Sequence, residues 1–269
     1  MQREADAKTT TAPPGIFETI ALAVSALLVQ PLPLALPIVV DAALWAGPRL
    51  SPASVVDPVG RWLADRNVEG QESWSEPLAA LSGSGDVAAI VGFFVPSILG
   101  FVDTAAPWSP ASVVPGAGAT LALVPVLFLV GLWGGMLFST MLARIVRGGS
   151  PLAGGWLRAA TVAALRYLGF WALVVLAVGL LLVPTALAVA ISAVVGLDGL
   201  LLAVLVPVAL VAFLGLLFVR DAIAVAAVGP LRACALSVGV ARRHPWPTIG
   251  LLAVTLVGAG GLGNLADRI

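Results

Sequence analysis

Residues 167–194 read YLGFWALVVLAVGLLLVPTALAVAISAV and include no charged side chain. A helix needs about 20 mostly apolar residues to cross the roughly 30 Å hydrocarbon core of a bilayer, and this run is long enough. In lipid, every backbone N–H and C=O group must find its partner within the protein, and a helix provides those partners locally. The stretch therefore predicts a transmembrane helix.

The rest of the chain has the same character. Of its 269 residues, 60% are hydrophobic and only 10% are charged, whereas an average soluble domain carries about 25% charged residues; the mean hydropathy is +1.06. Further apolar runs predict spans at about 118–142, 199–220 and 247–264, and 16–47 holds another. We expect an all-α integral membrane helical bundle of about five transmembrane helices (four to six), with additional in-plane amphipathic helices.

The first apolar segment, 16–47, permits two interpretations. It is either one long kinked transmembrane helix, or an in-plane helix over 16–30 followed by a spanning helix over 31–48. Pro31 would break the helical hydrogen-bond ladder at the junction. We favour the in-plane alternative because the apolar residues before the proline share one helical face. They are Ile16, Phe17, Ile20, Val24, Leu27 and Leu28.

Basic residues predict the orientation. They cluster in two connecting regions, 143–166 and 220–246, where the only acidic residue is Asp221. The basic residues there are Arg144, Arg147, Arg158, Arg166, Arg220, Arg232, Arg242 and Arg243. The positive-inside rule places both regions in the cytoplasm. The N-terminus then also lies in the cytoplasm, with 1–15 as a disordered tail and 16–269 as a single membrane domain. The Arg-rich composition favours a bacterial plasma membrane.

Residues 48–116 are the most polar part of the chain and fall on the non-cytoplasmic side. Acidic residues outnumber the three arginines there. An amphipathic stretch at about 51–66 predicts a short interfacial helix. A second, apolar stretch at about 87–102 is too short for a regular span and predicts an interfacial or re-entrant helix.

A pattern occurs twice on the predicted cytoplasmic side. Pro151-Leu152 and Pro230-Leu231 each open a stretch of about sixteen residues that contains arginines and leads into an aromatic residue and a span. Proline is favoured at the first position of a helix because its missing N–H has no partner there. The pattern predicts an in-plane helix before each of these two spans.

Three stretches carry a resemblance. The first is PLPLALPIVVD (31–41) with Leu44-Trp45 and GPRLS (47–51). The second is VPSIL (95–99). The third comprises AIAV (222–225), Gly229-Pro230-Leu231, Ala235, Ser237, Val240, Arg242-Arg243 and Trp246. The chain resembles a bacterial family of multi-pass membrane proteins related to the membrane domain of some glycerophosphodiester phosphodiesterases. The resemblance implies about six membrane helices. It implies no phosphodiesterase activity, because it covers no catalytic domain.

Few residues are candidates for a site. Asp41 lies in an apolar run, where a carboxylate is costly and marks a candidate intramembrane polar site, although solvation or pairing near Trp45 and Arg49 is the simpler interpretation. The eight arginines above are candidates for contacts with anionic lipid headgroups, at roughly 1 kcal/mol each, or serve to set the topology. Gly131, Gly135 and Ser139 are spaced four residues apart and predict a seam for close helix packing.

Catalysis is not expected. Cys234 and His244 are the only residues of their types, which excludes an internal disulfide and the usual zinc and Ser-His-Asp arrangements. We predict no enzyme activity, cofactor or metal, and a net charge of zero gives no reason to expect a nucleic-acid partner. The leading hypothesis is an accessory or structural membrane protein that contacts lipid, a membrane-protein partner or a second copy of itself. A transporter or permease subunit is the alternative, and an intramembrane enzyme is the third.

Overall fold

The computed structural model of the protein describes residues 16–66, 71–96, 113–195 and 198–254. Within these ranges the chain forms helices and no strand, apart from an isolated bridge between Leu50 and Val113. The helices are α1 (Ile16–Val29), α2 (Ala35–Ala46), α3 (Ala53–Asp65), α4 (Gln71–Ser84), α5 (Ala89–Phe94), α6 (Ala117–Val146), α7 (Trp156–Val195), α8 (Asp198–Leu216), α9 (Val219–Ala226), α10 (Pro230–Arg243) and α11 (Pro245–Val254).

The all-α membrane class predicted from the sequence is confirmed. Three helical stretches are long and apolar enough to cross a membrane: Ala117–Val146, Trp156–Val189 and Ala203–Ala226. A bent pair of helices near the N-terminus would count as a fourth. In the described part the number of spans is therefore three or four, against the five expected. The predicted span at 247–264 is seen only as α11, because most of it lies outside the described residues.

The first apolar segment is divided at Pro31. The helices on either side, Ala21–Val29 and Leu32–Ala46, meet at an angle of 91°. After the bend, Leu36 packs beside Leu137 and Met141 near the end of α6. Leu50, beyond the other end of α2, bridges to Val113 just before α6 begins. Thus the chain from Leu36 to Leu50 runs from the end of α6 back to its start, and α1 lies at about a right angle to α2.

Helix α5 packs one side against α6, with Phe94 buried and Phe93 72% exposed. Val91 lies against Gly131 and Phe94 against Gly135, so α5 runs beside the middle of α6. Backbone hydrogen bonds connect the residues that flank α2, α5 and α6: Val87 N–H donates to Leu50 O (2.9 Å), and Ser51 N–H donates to Val113 O (3.0 Å). The two forms predicted for 87–102, an interfacial or a re-entrant helix, stay predictions, and 97–102 lie outside the described residues.

The in-plane helix predicted from Pro151 is wrong. The turn between α6 and α7 uses Gly148 (φ 74°) and Gly155 (φ 73°) in the left-handed region, where glycine is favoured. Pro151 lies in that turn, and α7 then runs without interruption from Trp156 to Val195. No proline occurs in α7 before Pro184, so nothing in its first turns breaks the hydrogen-bond ladder.

The second copy of the pattern differs from the first. Pro230 is the first residue of α10, with Gly229 as its N-cap. The helix ends at Arg243, and α11 begins at Pro245 after a break at His244. Here the chain forms a separate amphipathic helix before the next apolar one, as the pattern predicts.

The core lies toward one end of the bundle. It joins α5, α6, α7, α9 and α10 through nine buried residues: Phe94, Leu132, Met136, Ala163, Ala164, Phe170, Val219, Ile223 and Ala233. By contrast, no residue in the most apolar eighteen-residue window of α7 is buried within the protein. Leu176, Leu180 and Val183 are 68–75% exposed there, as expected for side chains that face lipid.

Candidate anion-binding site

Four of the predicted arginines surround one cavity. It has a volume of about 370 Å³ and lies where the end of α6, the start of α7 and α9 meet. Arg144 and Arg147 come from the end of α6, and Arg158 and Arg166 come from α7. The other lining residues are Thr140, Ala143, Gly155, Ala159, Val162, Ala163, Ile223, Ala224 and Ala227, so none of the described residues that line the cavity is acidic.

Helical spacing accounts for the α7 wall of the cavity. Arg158, Val162 and Arg166 follow one another every four residues and therefore lie on the same face of α7. The α6 wall ends with Arg144 in the last helical turn, where a cation is stabilised by the helix dipole. The guanidinium of Arg144 also donates from Nη1 to Ala153 O at 2.6 Å, which holds the glycine-rich turn over the end of α6.

The third wall is the C-terminal end of α9. Ala227 caps this helix in the left-handed region (φ 52°, ψ 36°), an uncommon conformation for a residue with a Cβ atom. Arg166 Nη1 donates a hydrogen bond to the carbonyl oxygen of Ala227, sixty-one residues further along the chain. The same arginine therefore lines the cavity and connects α7 with α9.

Arg147 and Arg158 retain their hydrogen-bonding capacity. Within the described ranges neither guanidinium has a hydrogen-bond or ion-pair partner. The guanidinium groups of Arg144 and Arg166, by contrast, each use one nitrogen on a backbone carbonyl. A guanidinium presents five donors in a planar fork that matches phosphate oxygens. The cavity can thus receive an anion of phosphate type without first breaking an internal ion pair.

Arg220 has a different environment. Its Nε donates to Ser139 Oγ at 2.7 Å, and its Nη2 donates to Gly135 O at 2.8 Å. Both of these hydrogen bonds join α9 to α6. The other three predicted arginines, Arg232, Arg242 and Arg243, are exposed on α10 and lie outside the cavity lining.

The small residues predicted to form a packing seam on α6, Gly131, Gly135 and Ser139, contact both α5 and Arg220. An ideal Cβ added to Gly131 would stand 2.9 Å from Val91 Cα, and one added to Gly135 would stand 2.4 Å from Phe94 O. The glycines therefore allow α5 to approach the α6 backbone closely, while Ser139, the third member, accepts the hydrogen bond from Arg220. Nothing in the sequence pairs Arg220 with this row, because the two are 81 residues apart.

Helix α10 packs two small residues against the bundle and leaves larger apolar ones outside. Leu231 and Val238 are 71% and 37% exposed. Ala233 and Ser237 are fully buried instead, and Ser237 Oγ accepts a hydrogen bond from Phe218 N–H (3.0 Å) at the break between α8 and α9. Burial raises the pKa of the nearby Cys234 thiol. The spacing of Ala233 and Ser237 by four residues is the signal that could have identified this contact face.

Five polar residues that a transport path could use, Gln30, Asp41, Ser139, Thr185 and Ser192, are spread over α2, α6, α7 and the bend before α2. Asp41 is half-buried on α2, and Gln30 lies at the bend before it. Ser139 is engaged by Arg220. Thr185 is exposed on α7, and Ser192 Oγ donates to Val189 O (2.9 Å). None of these five residues lines the arginine cavity.

The fold and the site define a class: an all-α protein with several helices suited to a membrane and a cluster of arginines where three of its helices meet. In the described part, no group of three or more His, Cys, Asp or Glu side chains is placed to hold a metal ion. No protein-family model, curated protein or solved structure matches the chain.

Proposed function

We propose that this protein is an accessory membrane protein that binds anionic phospholipid through the arginine cavity. The observation that carries the proposal is the meeting of four arginines, from two helices, around one cavity whose lining contains no carboxylate. Each arginine near an anionic lipid surface contributes roughly 1 kcal/mol. Two of the four have no partner within the described protein and are free to hold the phosphate.

The proposal includes an orientation in a bacterial plasma membrane, with the arginine cavity and the N-terminus on the cytoplasmic side. The positive-inside rule supports this placement of the arginines. The contact of Leu36 with Leu137 and Met141 supports the placement of α1, because it brings the Pro31 bend to the end of α6 that bears Arg144. The bend of 91° between α1 and α2 supports an α1 that lies along the membrane plane while α2 crosses it.

A kinship with the membrane domain of glycerophosphodiester phosphodiesterases is part of the same proposal, resting on the sequence stretches given above. One of these stretches includes Ser237, which is buried at the break between α8 and α9. The shared element would be an amphipathic helix fitted against a broken span. No catalytic activity is proposed to accompany it.

The lipid proposal is tested with the purified protein in nanodiscs of phosphatidylcholine containing a small fraction of phosphatidylglycerol, with bound lipid measured by native mass spectrometry. The double variant Arg147→Gln/Arg158→Gln removes about 2 kcal/mol of attraction and should weaken phosphatidylglycerol binding roughly 30-fold. Arg144 and Arg166 are left in place because they also hold the fold.

Arg242→Gln/Arg243→Gln is the matched control, since it removes the same charge from α10 outside the cavity. It should change binding by a few-fold at most, and raised salt should weaken wild-type binding. Equal losses of phosphatidylglycerol binding in the two double variants would count against a specific site. Retention of phosphatidylcholine and phosphatidylglycerol to the same extent by the wild-type protein would also count against it.

A further inference from the structure

A second cavity lies at the opposite end of α6 from the arginines. Helices α3 and α4 enclose about 620 Å³, within the usual range for sites that bind small molecules. The α3–α4 pair is attached near the start of α6, where the hydroxyls of Ser54 and Thr120 form a hydrogen bond (3.1 Å). The arginine cavity begins at Thr140, twenty residues further along α6. The two cavities are therefore separate sites.

Two glycines leave part of this space open. Gly60 in α3 and Gly83 in α4 both line the cavity, and an ideal Cβ on either would meet no atom within 4 Å. Neither is required by a left-handed backbone or by close approach of another element. Glycine is a poor residue inside a helix, and these two positions keep a cavity open that ordinary side chains would fill.

The chemistry of the lining favours an aliphatic chain. Val56, Leu63, Leu78 and Ala79 give it apolar walls. Asp57 is engaged, since its Oδ1 accepts a hydrogen bond from Ser82 Oγ. Arg61 is exposed at the lining and has no ion-pair or hydrogen-bond partner among the described residues. Asp57 and Arg61 give the lining one charge of each sign, and the guanidinium of Arg61 is the group that can pair with an anionic headgroup.

The other face of α3 indicates the depth of the cavity relative to the membrane. Trp62 is 53% exposed and Val59 is 46% exposed, and the guanidinium of Arg66 lies 4.8 Å from the centre of the Trp62 ring. An exposed tryptophan paired with arginine is typical of the membrane–water interface. At that level the abundant apolar molecule is the hydrocarbon chain of a lipid.

We propose that the α3–α4 cavity binds the hydrocarbon chain of a single-chain anionic amphiphile, with the headgroup beside Arg61. The probe is a palmitic acid that carries a photoreactive diazirine in its chain, added to the protein in phosphatidylcholine nanodiscs. Cross-linked peptides are identified by mass spectrometry. The expected result is saturable labelling of α3 and α4, which unlabelled palmitate suppresses.

The double variant Gly60→Leu/Gly83→Leu fills the cavity and should reduce this labelling at least tenfold. Gly179→Leu is the control, because it adds the same side chain at an open helical position of α7. Arg61→Gln should reduce labelling by the acid several-fold while sparing the corresponding uncharged alcohol. Equal labelling of the filled variant, non-saturable labelling, or labelling confined to the exposed faces of α7 and α8 would overturn the proposal. Equal loss of acid and alcohol in Arg61→Gln would overturn the assignment of the headgroup.

Discussion

Arg220 shows how a single side chain can hold two helices together. It reaches from the start of α9 to the hydroxyl of Ser139 and the carbonyl of Gly135 on α6, at the same glycine that admits Phe94 of α5. Hydrogen bonds that involve a charged group contribute roughly 1.5–3 kcal/mol, and a buried donor left without a partner costs about as much. The contact is therefore important for stability, whatever the protein binds.

We expect Ser139→Ala to destabilise the protein by about 1–3 kcal/mol, since Arg220 Nε would lose its acceptor. The chain's only cysteine offers the measurement. Burial raises the pKa of Cys234, so the native thiol holds less of the reactive thiolate at a given pH than an unfolded one. Thermal unfolding followed with a thiol-reactive dye should therefore show an earlier transition in the variant.

Ser25→Ala is the control for this substitution. The Ser25 hydroxyl is exposed and bonds only the carbonyl of Leu22 in its own helix (2.9 Å). Its removal should leave the transition within about 0.5 kcal/mol of the wild type, as is usual for surface substitutions. If Ser139→Ala unfolded at the same temperature as Ser25→Ala, the Arg220 contact would have no role in stability.

At the scale of elements, the closeness of α5 and α6 depends on Gly135. In Gly135→Ala the new Cβ would stand 2.4 Å from Phe94 O, a backbone atom that only a shift of α5 can move. Overpacking of this kind costs about 1–3 kcal/mol. Gly134→Ala meets only the side chain of Val95 at 3.2 Å and should cost less, while Gly118→Ala meets nothing within 4 Å.

The series is therefore expected to follow the order Gly118, Gly134, Gly135 from neutral to most destabilising in the same unfolding experiment. Gly118→Ala even gains helix propensity, up to about 1 kcal/mol. A result in which all three alanines behaved alike would mean that α5 does not pack against α6 as described.

The glycine row also shows what the sequence could supply. Spacing by four residues identified Gly131, Gly135 and Ser139 as one face of a helix, and Pro31 marked a break between two elements, because both signals are local. The partners of that face could not be read in the same way, since α5 and Arg220 arrive from distant parts of the chain. The helix predicted from Pro151 was wrong because proline can occupy either the first position of a helix or a turn. Here Gly148 and Gly155, both in the left-handed region, form a turn around it.

At the scale of the whole molecule, polarity differs between the two ends of α6. The end near Arg144 carries the arginine cavity, and the other end carries the α3–α4 pair with Asp57, Asp65 and Glu76. α6 is about 45 Å long at 1.5 Å per residue over its 30 residues, enough to pass through a bilayer and project beyond it. The two ends therefore lie on opposite sides of the membrane if α6 is a span.

This arrangement predicts which residues an impermeant maleimide can reach in intact spheroplasts. In a Cys234→Ala background, a cysteine at Glu76 should be labelled from outside, whereas cysteines at Leu152 and Glu18 should be labelled only after the membrane is permeabilised. All three sites are exposed in the structure. Outside labelling at Leu152 would reverse the orientation and place the arginine cavity away from the cytoplasmic leaflet. If only the cysteine at Glu18 were labelled from outside in addition to the one at Glu76, the segment before Pro31 would be a span. In that case α1 would cross the bilayer to the Pro31 bend, and α2 would cross back.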